Sequence, residues 1–255
     1  MSNRKEIVVI TKDTISRLLR DVKNIIKNPL NEHGIFYQHD EADMMKGYAL
    51  IVGPKDTPYF GGNYFFEFKY PSDYPHSPPQ VTYSTNGDNI RFNPNLYSNG
   101  KVCISILNTW RGEQWTSCQT ISTVLLTLCS LLCENPLLNE PGIHKDHMDL
   151  TKYNKIIEYK NLDLAVLKMV DENPLYYPGK FKIFLPIVIE NFLKNSEELK
   201  KRIDDKVVEY KDNETEVVST GLYSMRVVIN YADLEKQFSR IYEKIKDNKK
   251  IELEK

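Results

Sequence analysis

The stretch NPNLYSNGKVCISIL, residues 93–107, sets a single cysteine between an Asn-Gly turn and an apolar run. Two readings of Cys103 follow from its residue type and surroundings. A thiol with apolar neighbours can be a small, inert hydrophobe that fills a core. A thiolate is also a nucleophile, able to accept an acyl group as a thioester and pass it on to an amine. None of the five histidines lies near Cys103 in the chain, so a Cys-His peptidase pair has no local support. A modest nucleophile suits an enzyme that receives an already activated acyl group.

Upstream, four strand-like runs follow in quick succession: GIFYQ (34–38), GYALIV (47–52), YFFEFKY (64–70) and QVTYS (80–84). Turn-rich stretches such as GPKDTPYFGGN (53–63) and YPSDYPHSPP (70–79) separate them. Connections this short predict an antiparallel meander, because parallel neighbours need crossover helices. Tyr64, Phe65, Phe66 and Phe68 span both faces of one strand and read as core, not as a stacking platform for bases. Ahead of the strands, TKDTISRLLRDVKNIIKNP (11–29) places Ile15, Leu18, Leu19, Val22, Ile25 and Ile26 on one helical stripe, with Pro29 as its stop. Lys12, Arg17, Arg20, Lys23 and Lys27 make a basic outer side.

Downstream, Thr116 and Gln119 have the form of a capping box. It leads into TISTVLLTLCSLLC (120–133), where Ile121, Val124, Leu125, Leu128, Leu131 and Leu132 form a wide apolar face expected to pack on the sheet. From about residue 144 the texture turns helical and charged, with segments near 147–170, 180–203 and 231–246; Leu234, Phe238, Ile241 and Ile245 line one side of the last. Pro186 is expected to kink or split the second. Residues 204–220 fit either a solvated loop or a short hairpin, and the tail 246–255 reads as frayed.

The whole chain bounds these readings. Its 255 residues, 41% hydrophobic and 27% charged with a net charge of -1, predict a globular protein with one good core plus an annex. That balance gives no electrostatic footprint for nucleic acid or an anionic membrane. Every apolar run is interrupted well before the roughly 20 residues of a membrane span. The start, MSNRKEIVVITKD, has too short an apolar stretch for a secretory signal. Cysteines 103, 118, 129 and 133 form no CxxC pair, which points to a reducing compartment. A cytoplasmic monomer, also compatible with the nucleus, is the expectation. The four-residue spacing of Cys129 and Cys133 and the HKDH at 144–147 are ligand-like, but core positions and a helix start explain them better, so no metal is expected.

Taken in order, YPSDYPHSPPQVTY (70–83), FNPNLYSNGKVCISIL (92–107) and WTSCQTISTVLLTLCSLLCENP (115–136) resemble the proline-rich turn, active-site segment and following helix of ubiquitin-conjugating enzymes. In that family a His-Pro-Asn tripeptide ends 8 residues before the catalytic cysteine; here Asn93-Pro94-Asn95 has that spacing, 103 minus 95. The extra residues in NTWRGEQWTSCQTIS (108–122), and ENPLLNEPG (134–142) followed by KYNKIIEYKNLDLAVLKMV (152–170), are similar to the large class typified by ubiquitin-conjugating enzyme Z, which carries a long C-terminal helical extension. The resemblance implies an α+β fold with an N-terminal helix, a four-stranded antiparallel meander, a catalytic segment and packing helices. The core would be residues 1–160 and the helical extension residues 161–255.

The resemblance also implies a function. Ubiquitin or a ubiquitin-like protein would pass from an activating enzyme onto Cys103 and then to a substrate lysine. The chain itself would bind no cofactor, ATP being consumed upstream. Asn95 would supply the oxyanion donor, or merely pin its turn, and both can hold. Asn93 stands for the usual His as a support of that turn, with Pro94 beside it. Ser105 stands where the family is often acidic. Asn139 and Glu140 fall at the acidic gate, Glu140 being the candidate to favour lysine approach and deprotonation; the competing reading is a solvated loop acid. His76, Trp115, Ser117 and Cys118 fall on the ligase platform, and Arg17 and Arg20 on the helix face that meets the activating enzyme. Two rivals stand: a catalytically silent variant that only binds ubiquitin or a ligase, and a cysteine hydrolase, which requires a histidine near Cys103 in space.

Overall fold

The computed structural model describes residues 10–172, 175–211 and 215–253. The apolar stretch at the start of the chain lies, apart from Ile10, outside the described residues, as do 212–214 of the segment that fitted a loop or a hairpin and the last two residues of the tail.

Helix α1, Lys12–Lys27, begins where the Thr11 hydroxyl accepts the Thr14 amide, and ends at Asn28. Thr14, Leu18, Asp21, Val22 and Ile25 face the core. Leu19 and Ile26 do not; each follows a buried residue directly and so sits about 100° round the helix, where it is exposed. The buried stripe is therefore narrower than the apolar pattern, and includes a carboxylate.

The four strand-like runs become β1 (Ile35–His39), β2 (Lys46–Val52), β3 (Asn63–Lys69) and β4 (Gln80–Tyr83), a sheet ordered β1-β2-β3-β4. All pairs are antiparallel, with Ala49 opposite Phe66 and Leu50 opposite Phe65. One face of β3 points Tyr64 against Tyr59 and Phe92, and Phe66 against Tyr83. The other points Phe65 against Tyr177, Phe181 and Phe184, and the Phe65–Phe181 stack has a centroid separation of 4.9 Å. Both faces are thus covered, the second by the chain's own C-terminal part.

Helix α2, Ile121–Ser130, is capped by Thr120 and Thr123, whose side chains and amides bond reciprocally. The expected pair, Thr116 and Gln119, instead closes the turn before it, through Gln119 N to Thr116 O and Thr116 N to Gln119 Oε1. A Thr hydroxyl at the third helical position does here what Glu or Gln usually does. Ile121, Val124, Leu125 and Leu128 are buried in the same core as the strands.

Helix α3, Leu150–Lys160, runs on without a break into a π-helical segment, Asn161–Lys168. The expected division at residue 160 therefore falls inside one continuous rod. Buried polar groups weld it to the sheet: Tyr64 Oη donates to Asn161 Oδ1 at 2.6 Å, Asn161 Nδ2 to Phe60 O at 2.9 Å, and Asn63 Nδ2 to Ala165 O at 2.9 Å.

Beyond it, a 3-10 stretch, Gly179–Phe184, leads into α4, Leu185–Glu209. Pro186 occupies the first turn of α4 and neither kinks nor splits it, since an amide there has no intrahelical acceptor to lose. A two-stranded hairpin, β5 (Glu216–Ser219) and β6 (Arg226–Ile229), lies against α3. Helix α5, Tyr231–Leu253, closes the chain against α4, with Phe192 on Phe238 and Tyr242. The hydrophobic core is continuous from Leu18 to Ile245.

Phe181→Ala removes the ring stacked on Phe65 and is expected to lower the unfolding free energy by about 3–5 kcal/mol, in one cooperative transition. Urea unfolding followed at two spectroscopic probes checks both; two separated transitions would make the C-terminal part an independent unit.

Candidate active site

Between β4 and α2 the chain forms no regular strand, only isolated bridges that fold residues 93–102 back on themselves. Gly100 makes the reversal, with φ +90° and the Tyr83 carbonyl 2.9 Å from where a Cβ would stand, so no other residue fits without strain. Asn95 and Cys103 are tied reciprocally: Cys103 N donates to Asn95 O at 2.9 Å, and Asn95 Nδ2 donates to Cys103 O at 2.7 Å. This bond assigns the amide orientation of Asn95 and uses one of its two Nδ2 hydrogens. Among the described residues, Asn95 Oδ1 is buried with no protein partner.

Asn93 is fully buried and supports the turn from beneath. Its Oδ1 accepts from Asn95 N at 2.9 Å, while Nδ2 donates to Leu131 O at 2.8 Å and Tyr59 Oη at 3.2 Å. Pro94 is buried between the two asparagines. The Leu131 carbonyl, just past the end of α2, also receives Asn139 Nδ2 at 3.3 Å. Hydrogen bonds thus connect Cys103, Asn95, Asn93 and Asn139. Glu140 follows directly and is half-buried.

The Glu140 carboxylate is not a solvated loop acid: its Oε2 accepts a short hydrogen bond from Tyr223 Oη. Burial, and the Glu140 charge beside it, push the Tyr223 hydroxyl well above its ordinary range, so it stays protonated as the donor. Arg91 is the second unanticipated member. Its guanidinium lies over the rings of Tyr97 and Tyr223, 3.4 and 4.4 Å from their centroids, and donates from Nη2 to Pro94 O at 2.6 Å. Its position two residues before Asn93 was a local hint. Tyr223 left none, since only the folded chain brings it there.

Cys103 itself is 3% exposed. Ser105, half-buried, starts a 3-10 turn at Ser105–Leu107, with Gly112 folded close to its side chain. Among the described residues, no histidine hydrogen-bonds Cys103. His39 is engaged with Tyr37 Oη and Met44 O, and His147 with Asp149 N. Cys129 and Cys133 are half-buried, and burial pushes both thiols up. Among the described residues no group of three His, Cys, Asp or Glu could hold a metal ion.

Of the residues expected at partner surfaces, His76, Ser117, Cys118 and Arg20 are exposed. Two depart from that expectation. Trp115 is buried, its Nε1 donating to Pro75 O at 2.7 Å, so it supports the platform from below. Arg17 is not on the solvated side of α1. It pairs with buried Asp21 at 3.0 Å and donates to Ser117 O at 2.5 Å and Gln119 O at 2.6 Å, clamping the loop before α2 to the first helix.

The family model for the ubiquitin-conjugating enzymes matches residues 17–166, more than half of the chain. Human ubiquitin-conjugating enzyme E2 Z is 47% identical over 158 residues, which covers 61% of this chain and 44% of the human protein. The probable ubiquitin-conjugating enzyme protein 17 of Caenorhabditis elegans is 34% identical over 221 residues, 79% of this chain and 30% of the nematode protein. The human dual E2 ubiquitin-conjugating enzyme/E3 ubiquitin-protein ligase BIRC6 is 49% identical over 120 residues, 44% of this chain and 2% of that protein. The chain spans less than half the length of each of these relatives. With a matching family model, a meander sheet and Asn93-Pro94-Asn95 bonded to Cys103, this chain belongs to the ubiquitin-conjugating enzyme family.

Proposed function

We propose that the chain takes ubiquitin or a ubiquitin-like protein from an activating enzyme onto Cys103 as a thioester and transfers it to a lysine of a protein substrate. The observation that carries this reading is the reciprocal pair of bonds between Asn95 and Cys103, which sets a side-chain amide beside the acyl-accepting residue before any substrate arrives.

In charging, the Cys103 thiolate attacks the thioester carbonyl carbon on the activating enzyme; a new C–S bond forms and the donor thiolate leaves. In discharge, a lysine ammonium gives one proton to a nearby base, for which Glu140 is the candidate. Its amine nitrogen attacks the carbonyl carbon, and the oxygen becomes an oxyanion that the remaining Asn95 N–H can meet. Collapse breaks the C–S bond, frees Cys103 as thiolate and releases the second amine proton, leaving an isopeptide. These steps need no cofactor on this chain, because ATP is used upstream. The exposed His76, Ser117 and Cys118 suit a ubiquitin ligase, and Arg20 suits the activating enzyme. A reduced, cytoplasmic setting keeps the thiol free, and a monomer suffices.

One observation favours the rival, a catalytically silent variant that binds ubiquitin or a ligase: Cys103 is only 3% exposed, and the incoming carbonyl must reach its sulfur. The charging reaction separates the two. With ATP, ubiquitin and each ubiquitin-activating enzyme in turn, the protein should form an adduct that reducing agent removes and Cys103→Ala abolishes. No adduct with any of them would leave the binding-only reading.

Asn95→Ala should slow discharge of a preformed thioester to free lysine by about 100-fold or more, read as thioester lost over time on non-reducing gels. Arg20→Glu should slow charging, more at low than at high salt, if the exposed face of α1 meets the activating enzyme. Arg17→Ala should instead lower stability by about 1.5–3 kcal/mol in urea unfolding, because Asp21 loses its charged partner.

A further inference from the structure

The connection of the β5–β6 hairpin reaches the site from the far end of the chain. Tyr223 at its tip has φ 61° and ψ 3°, and Ser224 φ 50°. The left-handed region is costly for a bulky residue with a Cβ and persists only where surrounding contacts impose it. Here they are specific. Leu222 N donates to the buried Asp149 carboxylate at the start of α3 at 2.9 Å, and Thr220 Oγ1 to Leu222 O at 2.7 Å. Arg91 N donates to Met225 Sδ at 3.3 Å. The strained tip is thus anchored to the core on either side of Tyr223.

What the strain presents is the Tyr223 side chain, and that side chain has two engagements. Its hydroxyl donates to Glu140 Oε2; among the described residues, no protein group bonds Oε1. Its ring centroid is 4.4 Å from the Arg91 guanidinium, which also lies over the Tyr97 ring, and Arg91 holds the carbonyl of Pro94 inside the Asn93–Asn95 turn. Tyr153 completes the support, with its ring 6.1 Å from Tyr223 and its hydroxyl on Arg91 O at 2.6 Å. A single residue of the C-terminal part therefore touches the acidic gate and, through one cation, the turn that carries Asn95.

We propose that Tyr223 is a positioning residue for acyl transfer: the hairpin tip holds the Glu140 carboxylate with one oxygen fixed and the other turned to the incoming lysine amine, and steadies the Asn93–Asn95 turn through Arg91. The inference rests on Cys103 being the thioester nucleophile. It gives the C-terminal extension a part in lysine transfer beyond that of a scaffold.

The test is single-turnover discharge. The full-length protein is charged with ubiquitin, activation is stopped by chelating magnesium, free L-lysine is added, and thioester loss is timed on non-reducing gels. Wild type, Tyr223→Phe, Glu140→Gln and the double variant form a cycle. Tyr223→Phe keeps the ring on Arg91 and removes only the hydroxyl, so its melting temperature reports whether the fold is intact. We expect Tyr223→Phe to discharge about 10–100-fold more slowly than wild type, the loss of one hydrogen bond to a charged group. The double variant should match Glu140→Gln to within about twofold, because the hydroxyl acts only through that carboxylate. A merely structural tyrosine would give multiplied losses instead, and that result overturns the inference, as does a Tyr223→Phe rate equal to wild type. Failure of the wild type to charge at all would overturn the thioester reading and this one with it; charging followed by either of the other failures overturns this one alone.

Discussion

Strand β3 buries aromatic rings on both of its faces, and a sheet built that way cannot leave either side to water. Fully burying a side chain of the size of Phe65 is worth roughly 1.5–3 kcal/mol, so an uncovered second face, with Leu50 beside Phe65, would forfeit a large share of a small domain's net stability. The remedy lies in the chain itself. Residues 177–184 lay Tyr177, Phe181 and Phe184 over that face, and the helices that follow are committed to pack behind them. Once α4 and α5 are so placed, the hairpin between them has α3 as its support, and its tip comes down at Arg91 and Glu140. A packing demand in the middle of the sheet thereby determines what stands at the candidate site.

The site is organised around carbonyls that need donors. Leu131 O, left without an intrahelical partner at the end of α2, receives both Asn93 and Asn139, and Cys103 O receives Asn95. In the oxyanion-donor role proposed for Asn95, pinning and preorganisation are the same act: a freely rotating amide is a poor donor, and one already held by the neighbouring backbone carbonyl has lost that freedom in advance. Replacing His by Asn in the first position of the tripeptide retains this role, because the shorter amide reaches the turn, the helix end and Tyr59 together.

What could be read from the chain was local. Strand runs separated by short turns give the meander, the apolar face of α2 follows from its periodicity, and the family resemblance puts Asn95 and Cys103 in one active-site segment. The shortfalls each turn on something periodicity does not encode. Pro186 reads from the sequence as a kink or a split, and the preceding 3-10 stretch, Gly179–Phe184, makes it a helix start instead. Thr116 and Gln119 match the capping-box pattern, but the cap is made four residues later by Thr120 and Thr123, a pair without the usual Glu or Gln. Arg17 looked solvated because its partners, the carbonyls of Ser117 and Gln119, lie about a hundred residues away. Tyr223 lies just beyond the ambiguous stretch 204–220 and carries no local signal; its meaning comes from contacts with Glu140 and Arg91.

The π-helical segment that continues α3 has a consequence for how such a chain tolerates length changes. A π turn closes its hydrogen bonds one residue further along than an α turn, so the segment 161–168 holds a residue that an uninterrupted α-helix would not need. Loss of one residue there would let the rod rewind as ordinary α-helix while the elements beyond it keep nearly their present direction. The bonds made inside the segment, from Asn161 and Ala165 to the sheet, are the ones that would change. A deletion in the α-helical part of the same rod has no such slack, and would turn everything downstream by about 100° around the rod axis, carrying the hairpin off the site. The segment is the one stretch of the rod where the chain can change length by a residue without re-aiming its C-terminal third.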